Sequence, residues 1–176
     1  MNAIVILCGG NNCGKTTTIR KFFQGKVSLT SSGKEFFERT LDGKRVYAVD
    51  SGSPQERVRV FCIVERVNEN IWARIDECNK KANGQSYVLI IPFTISENKE
   101  RTKLNEKCVL EPIQTLRKNY NVFVMYLKKK NATHKSRKNA LMKGIATVEI
   151  ETTEQDYDKS AELETFLRKN VIKTLP

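Results

Sequence analysis

One histidine, His134, and one tryptophan, Trp72, are all that the 176 residues hold of those two types. The five cysteines (Cys8, Cys13, Cys62, Cys78 and Cys108) form no C-x-x-C pair, so neither a zinc site nor a disulfide framework is expected. No apolar run approaches the length that crosses a bilayer. Ile4–Leu7 is far too short for the apolar core of a secretion signal and has no basic leader before it. The expectation is a cytoplasmic protein with no membrane partner. Internal repeats, low-complexity tracts and linkers are missing too, so 1–176 reads as a single domain, long enough to bury a core.

Acid is absent locally. Lys128–Lys138 carries six positive charges and no carboxylate, which leaves +5 of the formal +11 for the rest of the chain. Such a cluster is either a solvated basic face or a binder of phosphate groups, on a nucleotide or on nucleic acid.

What the chain does have is concentrated at its start. Ala3–Cys8 is a short run rich in Ile and Val, which predicts a buried strand. Gly9, Gly10, Asn11, Asn12, Cys13, Gly14, Lys15 and Thr16 then fit G-x-x-x-x-G-K-[ST], and Thr17–Phe23 continues as a short helix. The physics of this order is direct. Glycines let the backbone turn tightly enough for successive N–H groups to face an anion, and a helix N-terminus behind them adds partial positive charge. Lys15 has the reach for β- and γ-phosphates. The Thr16 hydroxyl suits Mg²⁺, which prefers oxygen and keeps several waters. Cys13 lies inside the loop and is expected to fill space there, so that its alkylation blocks nucleotide binding. Cys8, Cys62 and Cys78 sit in apolar contexts and read as small core residues.

On these residues the chain resembles the P-loop NTPase superfamily, over the first two dozen positions. The resemblance implies a nucleoside triphosphate held by Gly9, Gly10, Asn11, Asn12, Cys13, Gly14, Lys15, Thr16 and Thr17, with Thr16 on the metal.

Further along, Lys26–Thr30 is short and β-prone. Glu35–Leu41, Asp42-Gly43 and Lys44–Val49 read as a β-hairpin with a type I′ turn. Its second arm runs into Asp50 and the Ser51-Gly52-Ser53-Pro54 loop. Asp50 either holds a metal through water, or acts as base toward a substrate hydroxyl, or simply initiates a turn. From Gln55 to Ala82 apolar residues recur at three and four, predicting an amphipathic helix closed by Asn83-Gly84, with a β-prone first stretch that favours a late start. Trp72 reads as core. Tyr87–Phe93 is an apolar run suited to a central parallel strand with Pro92 near its end. A helix over Ser96–Asn119, a strand over Val122–Leu127, a basic segment over Ala132–Met142 and a strand over Ala146–Ile150 follow. The polar loop Thr152–Lys159 and a closing helix over Ser160–Leu175, N-capped by Ser160, complete the order. The alternation implies an α/β fold: a parallel sheet covered by helices on both faces, with a β-hairpin after the first helix.

This layout looks like that of small P-loop kinases. The long helix ending Asn83-Gly84-Gln85 before Tyr87–Phe93, the basic segment after Val122–Leu127, and GIATVEIETTEQDYDKSAELETFL carry the likeness. It implies ATP and Mg²⁺ as cofactors, an unidentified phosphoryl acceptor, catalytic roles for Lys15, Asp50 and Arg137, metal-side roles for Thr16 and Asp50, and lid cations Lys135, Arg137 and Lys138. Arg101 would face acceptor phosphate. Tyr87–Phe93 ends in Pro-Phe-Thr without an acid, so Asp50 must supply the metal-side carboxylate or the site lacks one.

A weaker likeness joins LDGKRVYAVDSGSPQER to the hairpin and D-x-x-G-Q-E loop of small GTPases, with Gln55 or Glu56 orienting a water. Ser53 stands where the loop glycine belongs, and Leu127–Lys135 contains no N-K-x-D to read guanine. Three functions therefore compete: an ATP-dependent phosphotransferase, an NTP-hydrolysing switch or accessory ATPase, and a nucleic-acid-associated nucleotide-binding protein using the 128–138 patch.

Overall fold

A computed structural model describes residues 1–10, 12–24, 27–29, 35–49, 64–94, 114–130, 144–153 and 155–176. In chain order its elements are β1 (Ala3–Gly9), α1 (Lys15–Phe22), β2 (Val27–Leu29), β3 (Glu35–Leu41), β4 (Lys44–Val49), α2 (Val64–Ala82), β5 (Tyr87–Thr94), β6 (Asn121–Lys129), β7 (Ala146–Thr152) and α3 (Ser160–Phe166). The seven strands form one sheet in the order β2-β3-β4-β5-β1-β6-β7. The five from β4 to β7 run parallel, and β2 and β3 join antiparallel at one edge. The expected α/β architecture with its early hairpin is the observed one.

β1 sits at the centre, and every one of its residues is buried. Strand alternation splits its side chains between two cores. Ile4, Ile6 and Cys8 face α2, whose Ile71, Ile75, Cys78 and Ala82 recur at helical spacing, with Trp72 packed at the margin. Ala3, Val5 and Leu7 face Ile19, Phe22 and Phe23 of the first helical segment together with Leu163, Phe166, Leu167 and Val171 of the C-terminal one. Burying Phe22 and Phe23 stabilises by about 1.5–3 kcal/mol each, against about 0–1 kcal/mol for the exposed pair that Arg20 of α1 makes with Glu35 of β3. Apolar packing therefore fixes α1 and the loop that leads into it.

The hairpin turn forms where Asp42-Gly43 stands, with φ of 50° and 74°, the two positive values that a type I′ turn requires. α2 ends at the expected Asn83-Gly84 cap, whereas residues 55–63, on which the expected late start falls, lie outside the described residues. The C-terminal helix departs from expectation. Ser160 is the first helical residue and not the N-cap, and the Asp158 carboxylate accepts from its amide at 3.0 Å. After Phe166 the α-helix gives way to a π-helical turn, Leu167–Val171, and a 3₁₀ turn, Ile172–Thr174. A π turn rotates the chain less per residue, which keeps Val171, Ile172 and Leu175 against the sheet where a straight α-helix would carry them off it. Of the expected Ser96–Asn119 helix, only 114–116 is described as helical, and the basic segment over Ala132–Met142 lies outside the described residues.

Candidate functional site

The sheet order picks out one point on its rim. On one side of β1 lie β5 and β4, and on the other lie β6 and β7. The carboxyl end of β1 is therefore the switch point at which an open parallel sheet leaves a crevice. Residues 9–14 join β1 to α1 there, with Gly9 opposite Thr94 of β5 and Leu127 of β6.

Two glycines make this connection feasible. A Cβ on Gly9 would stand 2.5 Å from both the Cys13 sulfur and the Leu127 carbonyl oxygen. Cys13 is buried and fills the space that Gly9 leaves, the packing role expected of it. Gly14 has φ +89°, and a Cβ there would collide with the Tyr157 carbonyl oxygen. As N-cap of α1, Gly14 offers no side-chain acceptor, and the first turn of α1 contains no acid. The N-terminal amides of this helix therefore have no side-chain cap and suit an anion.

Lys15 arches back over the loop. Its ammonium donates to the carbonyls of Gly9 at 3.1 Å and Gly10 at 2.6 Å, and approaches the Cys13 sulfur at 3.4 Å. The cation is held at the loop without a carboxylate among these three partners. Thr16 and Thr17 are exposed on the first turn, whereas Thr18 is buried. The Thr18 hydroxyl donates to the Tyr157 carbonyl at 3.3 Å and accepts from the Lys159 amide at 3.1 Å. The turn after β7 is thus tied to the back of α1. Lys159 is itself buried, and its ammonium pairs with Asp156 and, at 3.7 Å, with Glu162. Its bond to Asp156 raises its pKa above the usual lysine value. Tyr126, on the strand beside the loop, has its hydroxyl pKa raised by burial, with Cys8 and Cys13 adding to the shift.

Gly9, Gly10, Asn12, Cys13, Gly14, Lys15, Thr16 and Thr17 lie on the β1–α1 connection and the first turn of α1. Asn11, Asp50, Gln55, Glu56, Arg101, Lys135, Arg137 and Lys138 lie outside the described residues. What the structure does give is the strand that leads to Asp50. β5 separates β4 from β1, so β4 itself lies about 10 Å to the side of β1. The last β4 residue paired with β5 is Ala48, opposite Ile90, which is itself opposite Val5, so this pairing stops short of the level of Gly9. At the start of the Lys128–Lys138 cluster, on β6, Lys128 is paired with Glu149 at 3.5 Å.

Thr18 and the 155–159 turn belong to this site and were not singled out by sequence pattern. One signal was present: three threonines follow Lys15 where the motif needs one. The third sits four residues after Gly14, on the inward side of the helix, its amide bonded to the Gly14 carbonyl at 2.8 Å.

Among the described residues no group of three or more His, Cys, Asp or Glu side chains could hold a metal ion. A divalent ion at this loop would take its oxygens from Thr16, from water and from the phosphates of a ligand. The loop fits such a ligand: capless helix amides, a cation on the loop and an exposed hydroxyl meet at one place.

The fold is an α/β one, a mostly parallel sheet between two helical layers with a glycine-containing connection at its switch point. No protein-family model matches the chain, and no curated protein matches it in sequence. Among solved structures, one assigned as nucleolar GTP-binding protein 1 from Plasmodium falciparum is 11% identical, with 98% of this chain and 87% of that one covered and a TM-score of 0.43. The G domain of the T. maritima FeoB iron transporter is 16% identical, with 96% and 98% covered and a TM-score of 0.42. At these scores neither likeness supplies a ligand or an activity. Among the described residues no helix is long and apolar enough to cross a membrane.

Proposed function

We propose that the chain is a nucleoside-triphosphate-binding P-loop domain spanning 1–176, which holds the Mg²⁺-bound phosphate tail at residues 9–17 and hydrolyses it as a switch or accessory NTPase. The observation that carries this reading is the convergence at the switch point of the Gly14 N-cap, the Lys15 ammonium and the exposed Thr16. The amides and Lys15 would meet the phosphate charge, and Thr16 would supply a hydroxyl to Mg²⁺. Water needs no second binding pocket, and Gln55 or Glu56 would orient it. The absence of N-K-x-D over Leu127–Lys135 supports adenine, or loose base selection, over guanine.

The test is calorimetric titration with ATP and GTP, with and without Mg²⁺, followed by phosphate release in the absence of any acceptor. Binding that needs Mg²⁺ and is lost in Lys15→Ala supports the reading. Equal binding by that variant removes it.

One observation favours a second reading, a phosphotransferase. β4, the last described element before Asp50 in the chain, stands two places from β1, and on this reading Asp50 would serve as a base on the acceptor side. Arg137, Lys135 and Lys138 would then clamp the transferring group. Phosphate that passes to an added hydroxyl acceptor faster than to water would select this reading.

A further inference from the structure

We propose that Thr18 is a positioning residue for the phosphate loop, acting through the 155–159 turn. The inference rests on the proposed phosphate-binding role of residues 9–17 and adds to it the group that sets their geometry.

Three observations meet here. Thr18 is wholly buried, and its one hydroxyl bonds two backbone groups of the same turn, the Tyr157 carbonyl and the Lys159 amide. The same Tyr157 carbonyl occupies the space that a side chain on residue 14 would fill. The amide of Thr18 closes the first turn of α1 onto the Gly14 carbonyl. One threonine therefore joins the two walls between which Gly14 is held at its positive φ. The direction of the amides after Gly14 depends on that φ, and an anion cradle works only while those amides converge.

The turn has an anchor of its own. Lys159 is buried and paired with Asp156 and Glu162, and the Asp158 carboxylate caps Ser160. Residues 155–159 thus form a braced piece, and Thr18 transmits its position to the loop. Without the hydroxyl, the Tyr157 carbonyl and the Lys159 amide lose a shared buried partner and the turn shifts to find others. Gly14 is then released toward conformations in which its neighbours' amides diverge. The phosphate tail would be bound by Lys15 alone.

The experiment compares Thr18→Ala with Thr18→Ser in the full chain, since both lack the methyl group and differ only in the hydroxyl. Affinity for inorganic tripolyphosphate with Mg²⁺ and for ATP with Mg²⁺ is measured by calorimetry at a temperature where circular dichroism shows each variant folded. Thr18→Ser is expected to bind within about threefold of the wild type, and Thr18→Ala at least about tenfold more weakly, the size expected for two ordinary hydrogen bonds. Amide exchange at residues 14–17 should quicken in Thr18→Ala and not in Thr18→Ser. Equal affinity in the two variants, whatever their melting temperatures, overturns the inference and leaves the phosphate-loop reading standing. Failure of the wild type to bind tripolyphosphate overturns both.

Discussion

Two regions of this molecule hold the same helical elements in place by opposite means. At the rim, the loop from Gly9 to Thr18 is fixed from within. A buried thiol fills the space over one glycine, a backbone carbonyl fills the space over another, and a buried hydroxyl bonds two backbone groups. At the far end of the sheet, the β3–β4 hairpin meets the C-terminal helix through charge. Arg39 pairs with Glu164 at 2.9 Å, donates to the Phe22 carbonyl at 2.9 Å and lies over the Phe22 ring, while Arg168 joins Asp42 and Glu164. Lys44 adds a bond to the Pro176 carbonyl. Buried backbone contacts admit few substitutes, whereas exposed ion pairs are replaced by water and salt at little cost. Under the proposed function an anion meets several amides at the rim at once, which demands precision there. The hairpin end only has to stay closed.

Changes at the rim should therefore cost function or fold heavily, and changes at the hairpin end lightly. The largest expected effect is Lys15→Ala, which removes the loop cation and should weaken triphosphate binding by about 100-fold or more with little change in melting temperature. Gly14→Ala comes next. The new methyl meets the Tyr157 carbonyl at a φ that L-residues avoid, so urea unfolding should show a loss of about 2 kcal/mol or more together with lost nucleotide binding.

The buried core supplies an effect of middle size that depends on pH. Burial pushes the Cys78 thiol up from 9.0 to about 12. The folded state therefore keeps a proton that the unfolded chain gives up. The associated stability is complete below about pH 9 and is lost as pH rises toward 12. Urea midpoints between pH 8 and pH 11 should fall, and Cys78→Ala should flatten part of that fall; an unchanged slope would contradict the assignment. Lys159, raised by Asp156, contributes in the same direction.

Smallest are the hairpin contacts. Arg39→Ala should cost about 1–2 kcal/mol, because the residue is partly buried and stacked on Phe22. Arg168→Ala should cost about 0–1 kcal/mol, and less still in high salt. An Arg168→Ala penalty as large as that of Gly14→Ala would break the comparison.

Much of this was legible in the sequence because it is local. Gly-rich loop, apolar runs and the Asp42-Gly43 turn each specify their own backbone, and the hairpin and the strands expected over Tyr87–Phe93 and Val122–Leu127 formed there, the latter extended to Asn121–Lys129. Pairing between distant strands leaves no such mark. Nothing in LDGKRVYAVDSG says that β5 will lie between β4 and β1, yet that insertion sets how far β4 stands from β1. The same holds for Thr18. Its partners are the 139th and 141st residues further along the chain, and a threonine inside a helix reads as ordinary until the turn beside it is seen. The π-helical turn after Phe166 answers to the shape of the sheet beneath it, which periodicity within 160–175 does not encode.

Loop amides and the Lys15 ammonium are proposed to form a seat for a triphosphate tail. Calorimetric titration of Mg²⁺-ATP, Mg²⁺-GTP and Mg²⁺-tripolyphosphate into the wild type and Lys15→Ala tests it most directly. Saturable binding of at least one of them to the wild type, lost in the variant, is the expected result. Heats indistinguishable between the two proteins would contradict it.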